Sequence, residues 1–218
     1  MSVLVIGGGG HARVVIATLH ACGLDVSGIL DDRPDAAGAH VLGRPVLGPV
    51  EPARVAGRRA VLAIGSNTVR RALAARLAPA EWVTAVHPHA LVHPSASLGT
   101  GAVVFAGAVV QPEASVGAHA IVNTGASLDH DTRLGDFAHV APGVRLAGGV
   151  TVGEGALLGI GACAIPGVTI GAWSTVGAGA AVVRDIPPGA TAVGVPARLV
   201  AAPAPGSGSG TPARRPSS

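Results

Sequence analysis

The chain has 218 residues, 49% of them hydrophobic, and a formal net charge of +3 in which every basic side chain is arginine and lysine is absent. That supports a buried core in one or two domains, whereas scattered arginines and an aromatic content of 2% argue against nucleic-acid binding, which wants a basic stripe and stacking rings. No apolar run approaches the ~20 residues of a membrane span and no leader precedes a cleavage site, so a cytoplasmic protein is expected. Cys22 and Cys163 have no metal or redox spacing and read as buried small apolar residues.

The first elements spell a small parallel α/β domain. Ser2 to Ile6 is a β-branched strand that runs into Gly7, Gly8, Gly9, Gly10 and His11, then into a helical pattern through Val14, Val15, Ala17 and Leu19. A glycine loop at a helix start lets backbone N–H groups approach a phosphate or pyrophosphate. The next strand, Val26 to Leu30, ends in Asp31 and Asp32, where an acidic residue can accept hydrogen bonds from a ribose or base. Ala60 to Ile64 reads as a further buried strand and Gly65, Ser66 and Asn67 as a turn. A helix over Thr68 to Leu77 follows, capped by Asn67 or Thr68, and Trp82 to Val86 closes the domain. Residues 1–86 form half of a dinucleotide fold, a Rossmann-like domain expected to hold one nucleotide.

From Val92 to Val182 an aliphatic residue returns at every sixth position without interruption, with a small residue two positions before most of them. A period of six fits neither a helix nor an alternating strand, but it fits a parallel β-helix with the repeated side chain stacked inside. Glycine follows the aliphatic residue at Gly99, Gly117, Gly135, Gly153 and Gly171, so three hexads make one coil of eighteen residues. The expected reason for glycine there is a tight turn at positive φ. The β-helix with its closing segment occupies 87–200, and 201–218 is expected to be a disordered tail.

Polar outliers cluster in one coil: Asn123, Asp129, His130, Asp131, Asp136 and His139. His130 falls at an outward corner beside Asp131, and Gly148 and Gly149 lie one coil above it. A base beside a carboxylate and next to backbone N–H groups suits acyl transfer, which needs proton acceptance and an oxyanion donor. His139 is nine residues on, half a coil away and on a different face of the rod, roughly 15 Å across it, so the two histidines meet only if a second rod packs alongside. A triangular rod suits a three-fold homotrimer with sites at the subunit interfaces. The remaining histidines lack the spacing of a zinc site, and no metal is expected.

The loop Gly7 to His11, the Leu30-Asp31-Asp32 strand end, Ala63 to Asn67, Asn123 to Ala126, Asp129-His130-Asp131, His139 and the closing Gly194 to Arg198 occur in order at fitting distances. Together they resemble the hexapeptide-repeat sugar acyltransferases of the sialic-acid O-acetyltransferase and bacillosamine N-acetyltransferase type, over residues 1 to about 200. The resemblance implies a left-handed, trimeric β-helix that binds acetyl-CoA between rods, through His139, Gly148, Gly159, Ile160, Gly161 and Gly177. It implies His130 as general base, Asp131 as its partner, and Asn123, His139 and Gly148 at the reacting groups. It places the sugar substrate on Gly8, Gly9, Gly10, His11, Asp31, Asp32 and Asn67. Nucleotide-sugar members carry glutamate after the base, where this chain has Asp131. The implied activity is acetylation of a UDP- or dTDP-linked 4-amino sugar, with O-acetylation of sialic acid or a non-catalytic nucleotide-sugar scaffold as alternatives.

Overall fold

The computed structural model describes residues 2–78 and 80–200, so the expected tail lies outside the described residues. Strand β1 (Ser2–Ile6) runs through the middle of a parallel sheet. Val3 and Val5 enter one apolar cluster and Leu4 and Ile6 another, which is why the strand reads as continuous hydrophobic sequence rather than alternation. Around it lie α1 (Gly10–Ala21), β2 (Asp25–Leu30), the antiparallel pair β3 (His40–Val41) and β4 (Arg44–Gly48), α2 (Pro52–Val55), β5 (Arg59–Leu62), α3 (Asn67–Arg76) and β6 (Glu81–Trp82). The sheet order is β3-β4-β2-β1-β5-β6. The β3–β4 pair was not anticipated, because two-residue pairing amid glycine and proline carries no periodic signal. Helix α3 is capped by Ser66, whose Oγ accepts from the Val69 N–H, and not by Asn67 or Thr68.

Ala85–Val86 pairs with Val103–Val104, so the first strand of the rod precedes His87. From there the chain is a left-handed parallel β-helix whose two-residue strands stack with those eighteen residues before and after them, in three sheets of eight, six and five strands. The aliphatic residues from Val104 to Val182 point inward and are buried, while Val92 and Leu98 are only partly covered at the open first end. Each buried Val, Leu or Ile contributes about 1.5–3 kcal/mol, which sustains coils that have only two-residue strands. The antiparallel pair Thr191–Val193 and Arg198–Leu199 closes the far end.

The glycine column has a different cause from the one expected. Gly99, Gly117, Gly135, Gly153 and Gly171 are absent from the positive-φ residues; a Cβ on Gly135 would instead stand 2.6 Å from the Glu154 backbone N in the next coil. Close stacking of coils demands glycine there. The left-handed conformation falls two residues later, at Gly101, His119, Phe137, Gly155 and Trp173.

The α/β part sits on the eight-stranded sheet of the rod. Val103, Phe105 and Ile121 from that sheet join the cluster formed by α1, β1 and β2. Cys22 belongs to this contact, its thiol donating to the Val86 carbonyl at 3.0 Å. Cys163 is exposed on the rod surface, contrary to the expected burial, because its strand presents Ala164 to the core instead.

Candidate active site

The residues singled out above fall into two groups, one around a cleft in the α/β part where it meets the rod and one at a separate corner of the rod. The first group surrounds a cleft of about 740 Å³ between β1, β2, β5, α1 and α3. Gly7 has φ of 102°, a conformation for which glycine is suited, and a side chain there would strike Ile64. Gly9 and Gly10 border open space, and α1 opens on the cleft with no acidic side chain in its first turn. That leaves the partial positive charge of the helix start uncompensated and suited to an anion.

Asp31 does not face the cleft as a free acceptor. Its carboxylate is taken by the Gly8 N–H at 2.5 Å, the Arg33 N–H at 2.9 Å and the Arg33 guanidinium at 2.9 and 3.1 Å. Burial acts to raise its pKa, but the bonds from Arg33 and Gly8 together hold the carboxyl below its usual range. Asp31 therefore shapes the glycine loop. Asp32 accepts from the Val50 N–H at 2.7 Å and from Arg76 at 3.0 Å, and stays half exposed at the cleft rim. Asn67 departs from its expected role: its amide is buried and bonds to Gly155 O, Ala156 O and Arg70, away from the cleft.

His11 and His139 meet behind the cleft. Their ring centroids are 6.1 Å apart, and His11 also packs edge-on against Phe105. Asn123 Oδ1 accepts the Thr124 N–H at 2.9 Å, which turns its Nδ2 toward His139 Nε2 at 3.0 Å. By that pattern Nε2 accepts and a neutral His139 carries its proton on Nδ1. Burial, followed by the charge of Arg70, pushes both histidines down to about 4, so both are neutral at physiological pH. Gly159, Ile160, Gly161 and Gly177 continue the Asn123 corner up the rod, with the amides of Gly159, Gly161 and Gly177 spent on the stacking bonds between coils.

The second group occupies another corner, between the strands Ser127–Leu128 and Arg133–Leu134. His130 is 64% exposed there and its Nδ1 lies 2.8 Å from Asp131 Oδ2. That hydrogen bond is the largest cause of a raised His130 pKa; desolvation comes next and lowers it, and the charges of Asp129 and Asp131 add to the rise. With Nδ1 on the carboxylate, Nε2 is the free nitrogen, and it lies so close to Gly148 that a Cβ there would stand 2.5 Å away. Gly149 donates its N–H to His130 O at 2.9 Å and is not available to a ligand. Among the described residues the Gly148 N–H takes no partner in the backbone bonding between coils. The corner thus offers a base nitrogen and one free amide donor side by side.

Two contributors escaped the sequence reading. Arg33 and Arg76 line the cleft beside the paired aspartates, yet in the sequence they are single arginines among many. Among the described residues no three His, Cys, Asp or Glu side chains gather as a metal site, and no helix is long and apolar enough to cross a membrane.

Residues 2–77 match the family described as the PglD N-terminal domain. Perosamine N-acetyltransferase from Caulobacter crescentus, solved as a histidine variant with CoA and GDP-perosamine, is 47% identical, with 93% of this chain and 98% of that chain covered and a TM-score of 0.88. The acetyltransferase domain of PglB from Neisseria gonorrhoeae FA1090, in complex with acetyl coenzyme A, is 38% identical over 91% of this chain and 98% of its own, with a TM-score of 0.84. UDP-N-acetylbacillosamine N-acetyltransferase from Bacillus subtilis (strain 168) is 40% identical over 111 residues, 48% of this chain and 51% of its own, so the matched part spans about half the length of that curated relative.

Proposed function

The chain belongs to the hexapeptide-repeat sugar acyltransferases of the bacillosamine N-acetyltransferase type, and from that membership we propose that it transfers the acetyl group of acetyl-CoA to the amine of a nucleotide-linked amino sugar. The observation that carries this reading is the His130 corner: Nδ1 held by Asp131, Nε2 free, and Gly148 close against the ring with its amide unspent in the backbone bonding of the described residues. The α/β cleft takes the nucleotide, with the diphosphate toward Gly9, Gly10 and the start of α1. GDP joins UDP and dTDP as a nucleotide to be tested, because the perosamine relative was solved with a GDP-sugar.

In the reaction the neutral amine attacks the thioester carbonyl and His130 Nε2 accepts the proton it sheds. The Gly148 N–H stabilises the oxyanion of the tetrahedral intermediate. Collapse breaks the C–S bond, and the proton carried by His130 passes to the departing sulfur, giving the amide and CoA thiol. Asp131 holds the imidazole in the required tautomer and stabilises its charged form.

Within one chain the His130 corner lies apart from the α/β cleft and from His139 and Asn123. A homotrimer that packs the His130 corner of one protomer against the His139 side of its neighbour completes each site, with Gly159, Ile160 and Gly161 along the donor groove. Acetyl-CoA and a nucleotide sugar as the two substrates support a cytoplasmic reaction. The test is CoA thiol release from acetyl-CoA with a panel of GDP-, UDP- and dTDP-amino sugars and free sialic acid. Release with a nucleotide amino sugar is expected. Release with sialic acid alone would replace N-acetylation by O-acetylation, and binding without release would reduce the protein to a scaffold.

A further inference from the structure

Arg70 is 1% exposed and, among the described residues, has no carboxylate partner. Its guanidinium is instead saturated by oxygens of two different parts of the fold. Nη1 donates to Ile64 O at 2.9 Å and Gly65 O at 3.3 Å, both in the wall of the cleft. Nε donates to His119 O at 2.8 Å, and Nη2 to Phe137 O at 2.6 Å and Asn67 Oδ1 at 3.0 Å. Asn67 in turn donates to Gly155 O and Ala156 O at 3.0 and 3.1 Å.

The rod side of this contact has a physical logic. His119, Phe137 and Gly155 are the left-handed residues of one corner in three successive coils. Stacking between coils uses the carbonyls of Ala118, Asp136 and Glu154 but, among the described residues, leaves those of His119, Phe137 and Gly155 without a backbone donor. Arg70 and Asn67 supply the missing donors to all three. Arg71 extends the contact to the fourth coil, paired with Glu154 at 3.3 Å and stacked 4.7 Å over Trp173.

We infer that Arg70, with Asn67, is a positioning residue that fixes the acceptor cleft against the rod surface bearing His139. It touches no substrate. One planar fork ties the loop at Ile64 and Gly65 to the corner at Phe137, two residues before His139, so a shift of that fork displaces the acceptor relative to the reacting groups. The donor groove lies on the rod alone and does not depend on this tie. A lysine in its place keeps the charge but offers one compact ammonium that cannot reach both sets of carbonyls.

This inference rests on the acetyltransferase reading only for its kinetic arm. In the full chain, Arg70→Lys is expected to raise KM for the nucleotide amino sugar about tenfold or more and to lower kcat, with KM for acetyl-CoA within about twofold of the parent. Hydrogen exchange over residues 67–77, 117–120 and 135–138 should accelerate while exchange in the far coils stays slow. Asn67→Ala removes one of the five bonds of the Arg70 guanidinium and the two amide bonds to Gly155 O and Ala156 O, should move the same quantities in the same direction by less, and decides the matter if Arg70→Lys does not fold. Parallel changes in the two KM values, or unchanged kinetics and exchange in a folded variant, would overturn the inference. If the parent protein transfers no acetyl group, the acetyltransferase reading fails, and the exchange measurement still tests the clamp.

Discussion

Replacing Gly148 by alanine isolates the base from everything else in the fold. The position is outside the left-handed region, so its backbone accepts alanine without strain. The added Cβ would stand 2.5 Å from both Cε1 and Nε2 of His130, about 1 Å inside ordinary van der Waals contact. Because His130 is 64% exposed, the ring yields by rotating away rather than by disturbing the coil. Stability should then change by no more than about 0.5 kcal/mol, as for other surface substitutions. A displacement of about 1 Å at a proton acceptor costs on the order of 100-fold in kcat. Stopped-time thiol release at saturating acceptor and acetyl-CoA, alongside thermal unfolding, measures both. A folded Gly148→Ala protein with parental kcat would refute the placement of His130 Nε2 at the reaction centre.

Asp131→Asn removes the hydrogen bond that raises the His130 pKa, so the acid limb of the kcat–pH profile should move to lower pH while the plateau falls; an unmoved limb would mean that His130 is not the titrating base. Leu158→Ala empties a fully buried inward position and should cost about 2–5 kcal/mol, read as a lowered Tm without loss of the parallel-sheet spectrum. The buried His119 and the partly buried His11 and His139 each titrate near 4 in the folded protein against an ordinary 6.5. Between those values the unfolded chain binds more protons, so stability is present above about pH 6.5 and is lost as the pH falls toward about 4. His119→Phe, which keeps the stack on Phe137, should make the fall of Tm with acid shallower.

The rod was legible because its signal is repeated: an inward aliphatic residue at every sixth position leaves a record that no single tertiary contact can blur. The glycine column was also legible in position, but its cause was not, since a sequence shows a missing side chain without showing whether φ or a neighbouring backbone requires it. His130, Asp131 and Gly148 were found because coil arithmetic places residues eighteen apart on top of one another. Asn67 was misread because proximity in sequence to the Ile64–Ser66 loop suggested the cleft, whereas the first turn of α3 faces the rod. Arg70 left no signal at all: the oxygens it binds are backbone carbonyls far along the chain, and carbonyls have no residue type to read.

The central claim is that each site joins His130 of one protomer to the cleft and His139 of its neighbour, and mixing two inactive variants tests it most directly. His130→Ala and His139→Ala proteins, each expected to be nearly inactive alone, are unfolded together and reassembled in equal amounts, and thiol release is measured. Random trimers would contain about one site in four with both histidines intact, so activity should return to about a quarter of the parental value. Mixed trimers that form yet remain as inactive as the separate variants would place both histidines in one protomer's site and contradict the account.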